Sequence, residues 1–350
     1  MAIIGPYGYL SDYILWVLLY LSVLVHTWSF FRSTGRRRQH KRGVLAGNSL
    51  ILACLIGLIA FVSETYLRFF SVALEPFGVS LPARRWFARY APLNSWGYRD
   101  AEWTNKKLKN VRRIAFVGDS FTFGWGIERP ENRFSNLIQA KLEGAIPGRV
   151  EVLNVSKPGW DTEVELPAIK EMVDQFGADE IVLGYVFNDI EKLLPRSNEF
   201  DPVTPPEPGF FSQESSCLLD YLYRTFAVPR LASVGNYFDW LADGYADSGV
   251  WSRHEDQLGG IIAYCRERQV SLRVVLLPFL KTRGDKFQID PLHKHLRSFF
   301  ESNQVPVVDL REAIAGNSVD ELVVNRRDAH PNEKAHALFG EMIWKAFYAE

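Results

Sequence analysis

The chain opens with two long apolar runs and then changes character. From Tyr13 to Phe31 the sequence YILWVLLYLSVLVHTWSFF contains no Asp, Glu, Lys or Arg. A second run extends from about Val44 to Val62, and its helical pattern continues towards Leu74. Each approaches the roughly 20 residues that a helix needs to cross a bilayer. A buried helix of a soluble domain can be equally apolar, but two such runs within the first 75 residues favour a membrane hairpin. A cleavable signal peptide fits poorly, because residues 1–12 carry no Lys or Arg and the first run is long and bulky. His26 lies near a helix end and is read as tolerated there rather than functional.

Beyond residue 111 the pattern becomes a rhythm of short β-rich runs and helical stretches. Strands are expected at 112–118, 149–155, 180–187, 271–278 and 306–310. Helices are expected near 131–144, 162–176, 255–269, 290–302 and 333–348. Apolar strands separated by helices predict a parallel sheet covered on both faces, an α/β architecture. The domain reading is a hairpin over 1–75, a linker rich in Pro, Arg and aromatics over 76–111, and an α/β domain over 112–350. An insertion at about 190–254 breaks the rhythm, first with DPVTPPEPG (201–209) and then with the aromatic pieces YLYRTF and NYFDWL. Such a segment could serve as a lid, a glycan-binding surface, a membrane-grazing element or plain packing.

Charge adds orientation. The piece between the apolar runs, RSTGRRRQHKR (Arg32 to Arg42), holds six Lys or Arg residues. A short loop this basic resists translocation, which places it in the cytoplasm and everything after about residue 75 outside. Over the whole chain the formal net charge is only −1, which argues against a nucleic-acid partner. Three cysteines, Cys54, Cys217 and Cys265, are too scattered for a disulfide framework or a zinc site. With Cys54 inside an apolar run, Cys217 with Cys265 is the one pairing left open. No metal or organic cofactor is suggested by the spacing of carboxylates and histidines.

Four short segments carry candidate chemistry. The first strand runs into Gly118-Asp119-Ser120-Phe121-Thr122, which would present a serine hydroxyl at the sheet edge after a sharp, glycine-permitted turn. The stretch GDSFTFGWG lacks both the G-x-G-x-x-G spacing and GK[ST] of nucleotide loops, and it is not a G-x-S-x-G elbow. Far downstream, Asp328-Ala329-His330-Pro331-Asn332 offers an imidazole that can take the serine proton and a carboxylate that can orient it. His293 and His295 read as surface positions of a helix, and His336 as packing on the last one. Gly159 in NVSKPGWDT and Asn188 in YVFNDI follow the second and third strands. Their N–H groups, with that of Ser120, could stabilise the oxyanion of an acyl-transfer intermediate.

Taken together, these segments resemble the conserved blocks of the SGNH/GDSL hydrolase superfamily. GDSFTFGWG is similar to its nucleophile block, Gly159 to its glycine block, Asn188-Asp189 to its asparagine block and DAHPN to its Asp/His block. The lead-in NSWGYRD before RRIAFVGDSFTFGWGIE is similar to that of membrane-anchored members. The resemblance covers roughly 93–189 and 255–348. It implies a flavodoxin-like three-layer α/β/α domain and an esterase, lipase or O-acyltransferase, with Ser120, His330 and Asp328 catalytic and Ser120, Gly159 and Asn188 forming the oxyanion hole. One departure stands out: the family places its aspartate three residues before the histidine, whereas Asp328 is two before His330. Asp309, at the end of the fifth strand, is the fallback, although a helix cap explains it structurally.

Placement outside the membrane suits enzymes that remove or transfer acyl groups, often acetyl, on exported or cell-surface polysaccharide. The expected partners are thus an acyl-ester substrate, foremost a glycan, and the lipid bilayer around the N-terminal helices. A transferase would also need an acyl-donating membrane partner. A lipid or lysophospholipid esterase is the competing enzymatic reading. A non-catalytic scaffold subunit of a polysaccharide modification complex competes from another class.

Overall fold

A computed structural model describes residues 10–34, 41–196, 215–231, 236–281 and 289–349. Most of the basic loop and the Pro-rich piece 201–209 lie outside the described residues. The chain divides into two compact units, one formed by 1–88 with 204–231 and the other by 89–203 with 232–350.

The first unit is built on the two apolar runs. They form α1 (Leu10–Thr34) and α2 (Lys41–Phe69), followed by α3 (Leu81–Tyr90). Within α1 and α2, the spans Leu10–Ser33 and Val44–Phe69 have mean hydropathies of 1.8 and 2.3 and are long and apolar enough to cross a membrane. Leu15, Leu19, Val25, Leu45 and Ile59 point outward, as side chains facing lipid would. Where the helices touch, small residues meet rings: Gly57 against Tyr20 and Gly47 against Phe31. Sequence periodicity missed α3 inside the expected linker, because Arg and Pro interrupt a short face on which Leu81, Ala83 and Trp86 are buried.

Near the end of α2 a buried ion pair organises a return of the chain. Glu64 and Arg68 are both buried, with Nε and Oε1 2.8 Å apart. Glu64 also accepts hydrogen bonds from Ser216 Oγ and the backbone N–H groups of Cys217 and Leu218. This ties α7 (Cys217–Leu222), part of the expected insertion, to α2. Cys217 and Cys265 are both buried, and no disulfide joins them among the described residues.

The second unit contains the sheet. Its five strands are β1 (Arg112–Gly118), β2 (Val150–Ser156), β3 (Glu180–Tyr185), β4 (Ser271–Leu276) and β5 (Val307–Asp309). All pairings are parallel, in the order β2-β1-β3-β4-β5. That doubly wound order reverses direction beside β1, so the loops after β1 and β3 open onto one crevice. The intervening helices in this unit are α4 (Ser120–Phe123), α5 (Phe134–Ala145), α6 (Thr162–Asp174), α8 (Tyr237–Ala246), α9 (Ser248–Glu267), α10 (Ile289–Ser302), α11 (Arg311–Ile314) and α12 (Glu333–Phe347).

Burial on both faces makes three layers. Phe134, Ile138 and Leu142 of α5 join Phe339 and Ile343 of α12 on one side, against Ile114 and Phe116. On the other side Ile169 and Met172 of α6, Leu258 and Ile262 of α9 and Leu296 and Phe300 of α10 pack against Ala115, Val117 and Ile181. Apolar burial of this kind is the main favourable term of the fold. The α9 helix starts at Ser248, seven residues before the expected 255, because Asp247 caps it by accepting from Gly249 and Val250 N–H. One surface expectation is overturned. His293 is fully buried on the inner face of α10, with Nδ1 2.9 Å from Asp309 Oδ1, whereas His295 is exposed. Burial of the 293 position follows the helical spacing to Leu296 and Phe300, which the polar sequence HKH disguised.

Candidate active site

Sharp backbone geometry sets the serine in place. β1 ends at Gly118, where a Cβ would strike the Thr122 hydroxyl and lie 2.9 Å from the Gly184 carbonyl oxygen. Only glycine allows strands β1 and β3 and the turn to come this close. Asp119 then caps α4 by accepting from Phe121 N–H at 2.8 Å, and Gly124 (φ 74°) ends it. Ser120 is thereby left at the first position of α4, 8% exposed.

The histidine arrives from the other end of the chain. Asn325 Oδ1 accepts from the N–H groups of Arg327 and Asp328. Val324 N–H donates to His330 O, and Asn332 N–H to Leu322 O. Asn332 then caps α12 by accepting from Ala335 N–H. These bonds close a small loop that holds residues 328–330 against the serine turn.

The resulting relay is continuous. Ser120 Oγ lies 2.8 Å from His330 Nε2, and His330 Nδ1 lies 2.6 Å from Asp328 Oδ1. With Nδ1–H donating to the carboxylate, Nε2 is left as the acceptor for the Ser120 hydroxyl. Asp328 is fully buried, and burial alone would raise its pKa. Its contacts with His330, together with hydrogen bonds from His330 N–H and the Trp125 indole, outweigh that and hold it below the ordinary carboxylate value. Asp309, the fallback, is engaged elsewhere by His293 and Arg311.

Asn188 stands in the first turn of a 3-10 segment, Phe187–Leu193, that follows β3. Its Nδ2 lies 3.3 Å from Asp119 Oδ2, which leaves the second amide hydrogen available. Gly159 has φ 77° in the turn after β2, a conformation that favours glycine, and a Cβ there would meet nothing within 4 Å. That turn is tied to the end of β1 by Lys157 N–H donating to Gly118 O. The structure therefore joins Ser120, His330 and Asp328 directly, Asn188 through Asp119, and Gly159 through the backbone.

Two features escaped the reading of the sequence. Trp125, within GDSFTFGWG, donates its indole N–H to Asp328 Oδ2 at 2.7 Å and stacks on the His330 ring. Glu165 and Asp189 are buried acids whose pKa values burial and neighbouring carboxylates, Asp119 among them, push well up. Both Glu165 carboxylate oxygens lack a partner among the described residues. Among those residues, too, no group of three or more His, Cys, Asp or Glu side chains converges as metal ligands would.

Comparison with known proteins identifies the family. The GDSL-like lipase/acylhydrolase family matches residues 116–338, from β1 into α12. Similar solved structures include a lipase from a goat rumen metagenome, at 18% identity and TM-score 0.45, covering 69% of this chain and 99% of that one. A catalytic mutant of an acetylxylan esterase from Geobacillus stearothermophilus is similar at 13% identity and TM-score 0.44, covering 70% of this chain and 98% of that one. No curated protein matches the sequence. Because the family match spans well over half of the chain and includes both halves of the relay, this protein belongs to the GDSL-like lipase/acylhydrolase family of serine hydrolases.

Proposed function

We propose that this chain is a membrane-anchored, extracytoplasmic esterase or O-acyltransferase that works through a Ser120 acyl-enzyme on acyl esters, foremost acetyl esters, of exported or cell-surface polysaccharide. The observation that carries the chemistry is the unbroken line from Ser120 Oγ through the His330 ring to Asp328. His330 Nε2 takes the hydroxyl proton as Ser120 Oγ bonds to the ester carbonyl carbon. The oxyanion is met by the N–H groups of Ser120 and Gly159 and by the free amide hydrogen of Asn188. Collapse of the intermediate breaks the ester bond, and His330 returns the proton to the departing alcohol. Water or an acceptor hydroxyl then repeats the sequence and frees Ser120.

Two features support the site of action and the substrate class. Two candidate spans flank a loop of five basic residues, with Arg32 at the end of the first span, which favours a cytoplasmic loop and an external catalytic unit. Gly159 is exposed and unobstructed, so the oxyanion edge is open enough for an ester carried on a bulky polymer. Fluorophosphonate labelling of the full chain tests the nucleophile: labelling must vanish in Ser120→Ala and persist in a neighbouring control such as Ser135→Ala. Acetate release from acetylated glycan is expected to exceed fatty-acid release from lysophospholipid. The opposite ranking would reject the polysaccharide assignment while keeping the serine chemistry.

A further inference from the structure

We infer that Trp125 is a positioning residue for the Asp328–His330 pair, and that Arg99 of the NSWGYRD segment fixes the turn that carries it. This inference rests on the proposed serine chemistry and gives the lead-in motif a task within it.

The short Asp-His spacing creates the need. With only Ala329 between them, the His330 backbone N–H and ring Nδ1 both reach the same oxygen, Asp328 Oδ1, at 3.1 and 2.6 Å. His330 therefore leaves Oδ2 to another donor in a site where Asp328 is fully buried. A carboxylate held through one oxygen can rotate about that contact and swing its lone pairs off the imidazole. Trp125 Nε1 takes Oδ2 at 2.7 Å and removes that freedom. The same indole lies against the His330 ring, with centroids 5.0 Å apart and planes 23° from parallel. One side chain thus fixes the planes of both partners.

Trp125 is itself placed by the turn after α4. Its N–H donates to Ser120 O, and Ile127 N–H donates to Gly124 O, which turns the carbonyls of Phe123, Gly124 and Ile127 inward. Arg99, 1% exposed, receives them: Nη1 donates to Phe123 O at 3.3 Å and Gly124 O at 2.8 Å, and Nη2 donates to Ile127 O. Its Nε donates to Tyr90 O. Arg133, also fully buried, donates to Arg99 O and to Asp100 Oδ1 and packs so closely on Gly124 that a Cβ there would lie 2.6 Å away. Serving three carbonyls of one turn needs the planar guanidinium fork, which a single ammonium does not offer.

The test is a double-mutant cycle on the full chain in detergent, reading 4-nitrophenyl acetate hydrolysis beside thermal unfolding. Trp125→Phe keeps a ring and loses the N–H. It is expected to lower kcat by about 10- to 100-fold with KM little changed. In an Asp328→Asn background the same change should cost less than about 2-fold, because its route of action is already broken. Arg99→Lys is expected to follow the same pattern at reduced size, which keeps the inference testable should Trp125→Phe fold poorly. Equal losses in both backgrounds, or no loss in the parent, would overturn the positioning role. An Asp328→Asn enzyme of normal rate would instead overturn the underlying chemistry.

Discussion

Among the described residues of the sheet-bearing unit two aspartate–histidine pairs occur, one sealed and one partly exposed, and it is the partly exposed one that faces a serine. In the first, His330 Nδ1 lies 2.6 Å from Asp328; in the second, His293 Nδ1 lies 2.9 Å from Asp309. The difference is in what surrounds them. His330 turns Nε2 towards Ser120 and has a side chain 16% exposed, so a substrate can reach it. His293 is sealed, with the Phe187 ring 4.7 Å from its own and no partner for Nε2 among the described residues. Asp309, for its part, receives three donors from Arg311: the backbone N–H, Nε and Nη2. Burial would raise its pKa, but His293 and Arg311 hold it well below the carboxylate range. A carboxylate beside an imidazole is therefore a packing solution as readily as a catalytic one. Access and the third group make the distinction.

The comparison breaks first at the nucleophile. Ser120→Ala should lower kcat for ester hydrolysis by about 10⁴- to 10⁶-fold, because the relay then has nothing to deprotonate. Next come the two aspartates, which the structure sets in direct contrast. Asp328→Asn should lower kcat by about 10⁴-fold, since an amide facing Nδ1 favours the wrong tautomer. Asp309→Asn should leave kcat per folded molecule within a factor of about 3. Equal losses at the two positions would erase the distinction drawn here. Asn188→Ala falls between, with an expected loss of about 10²- to 10³-fold in kcat if its free amide hydrogen meets the oxyanion. Saturation kinetics on one small ester measures all four.

Much of this arrangement is legible in the sequence, for identifiable reasons. The strands are visible because a parallel sheet buried on both faces needs continuous apolar runs, and RRIAFVG and EIVLGY supply them. Ser120 and His330 are visible because glycine before one and a proline-asparagine start after the other mark the ends of elements. What stayed hidden depends on side-chain direction. Glu165 looks like a solvated helix residue in TEVELPAIK, yet it points to the core one turn before Ile169. His293 hides the same way within IDPLHKHL. Arg99 and Trp125 were both within quoted motifs, but only tertiary contact brings the arginine to the tryptophan's turn. The return of residues 216–218 to Glu64 across 152 to 154 positions has no local signature at all.

The smallest effect on catalysis, and the sharpest on the comparison, belongs to His293. Burial lowers its pKa below the ordinary value, and it does the same for His254, to about 4, and His336, to about 3. A histidine that is harder to protonate when folded binds fewer protons in the native chain than in the unfolded one. Stability from these groups is therefore complete above about pH 6.5 and falls as the pH drops below it. His293→Leu removes one such group while Arg311 continues to serve Asp309. Its stability near pH 8 should change by no more than about 1 kcal/mol, and kcat should stay close to that of the parent. Its acid unfolding midpoint, followed by circular dichroism from pH 8 to pH 3, should move to lower pH. A kcat loss approaching that of Asp328→Asn would show that the sealed pair communicates with the relay. An unmoved acid midpoint would show that His293 is already charged beside Asp309, leaving access as the one property that separates the two histidines.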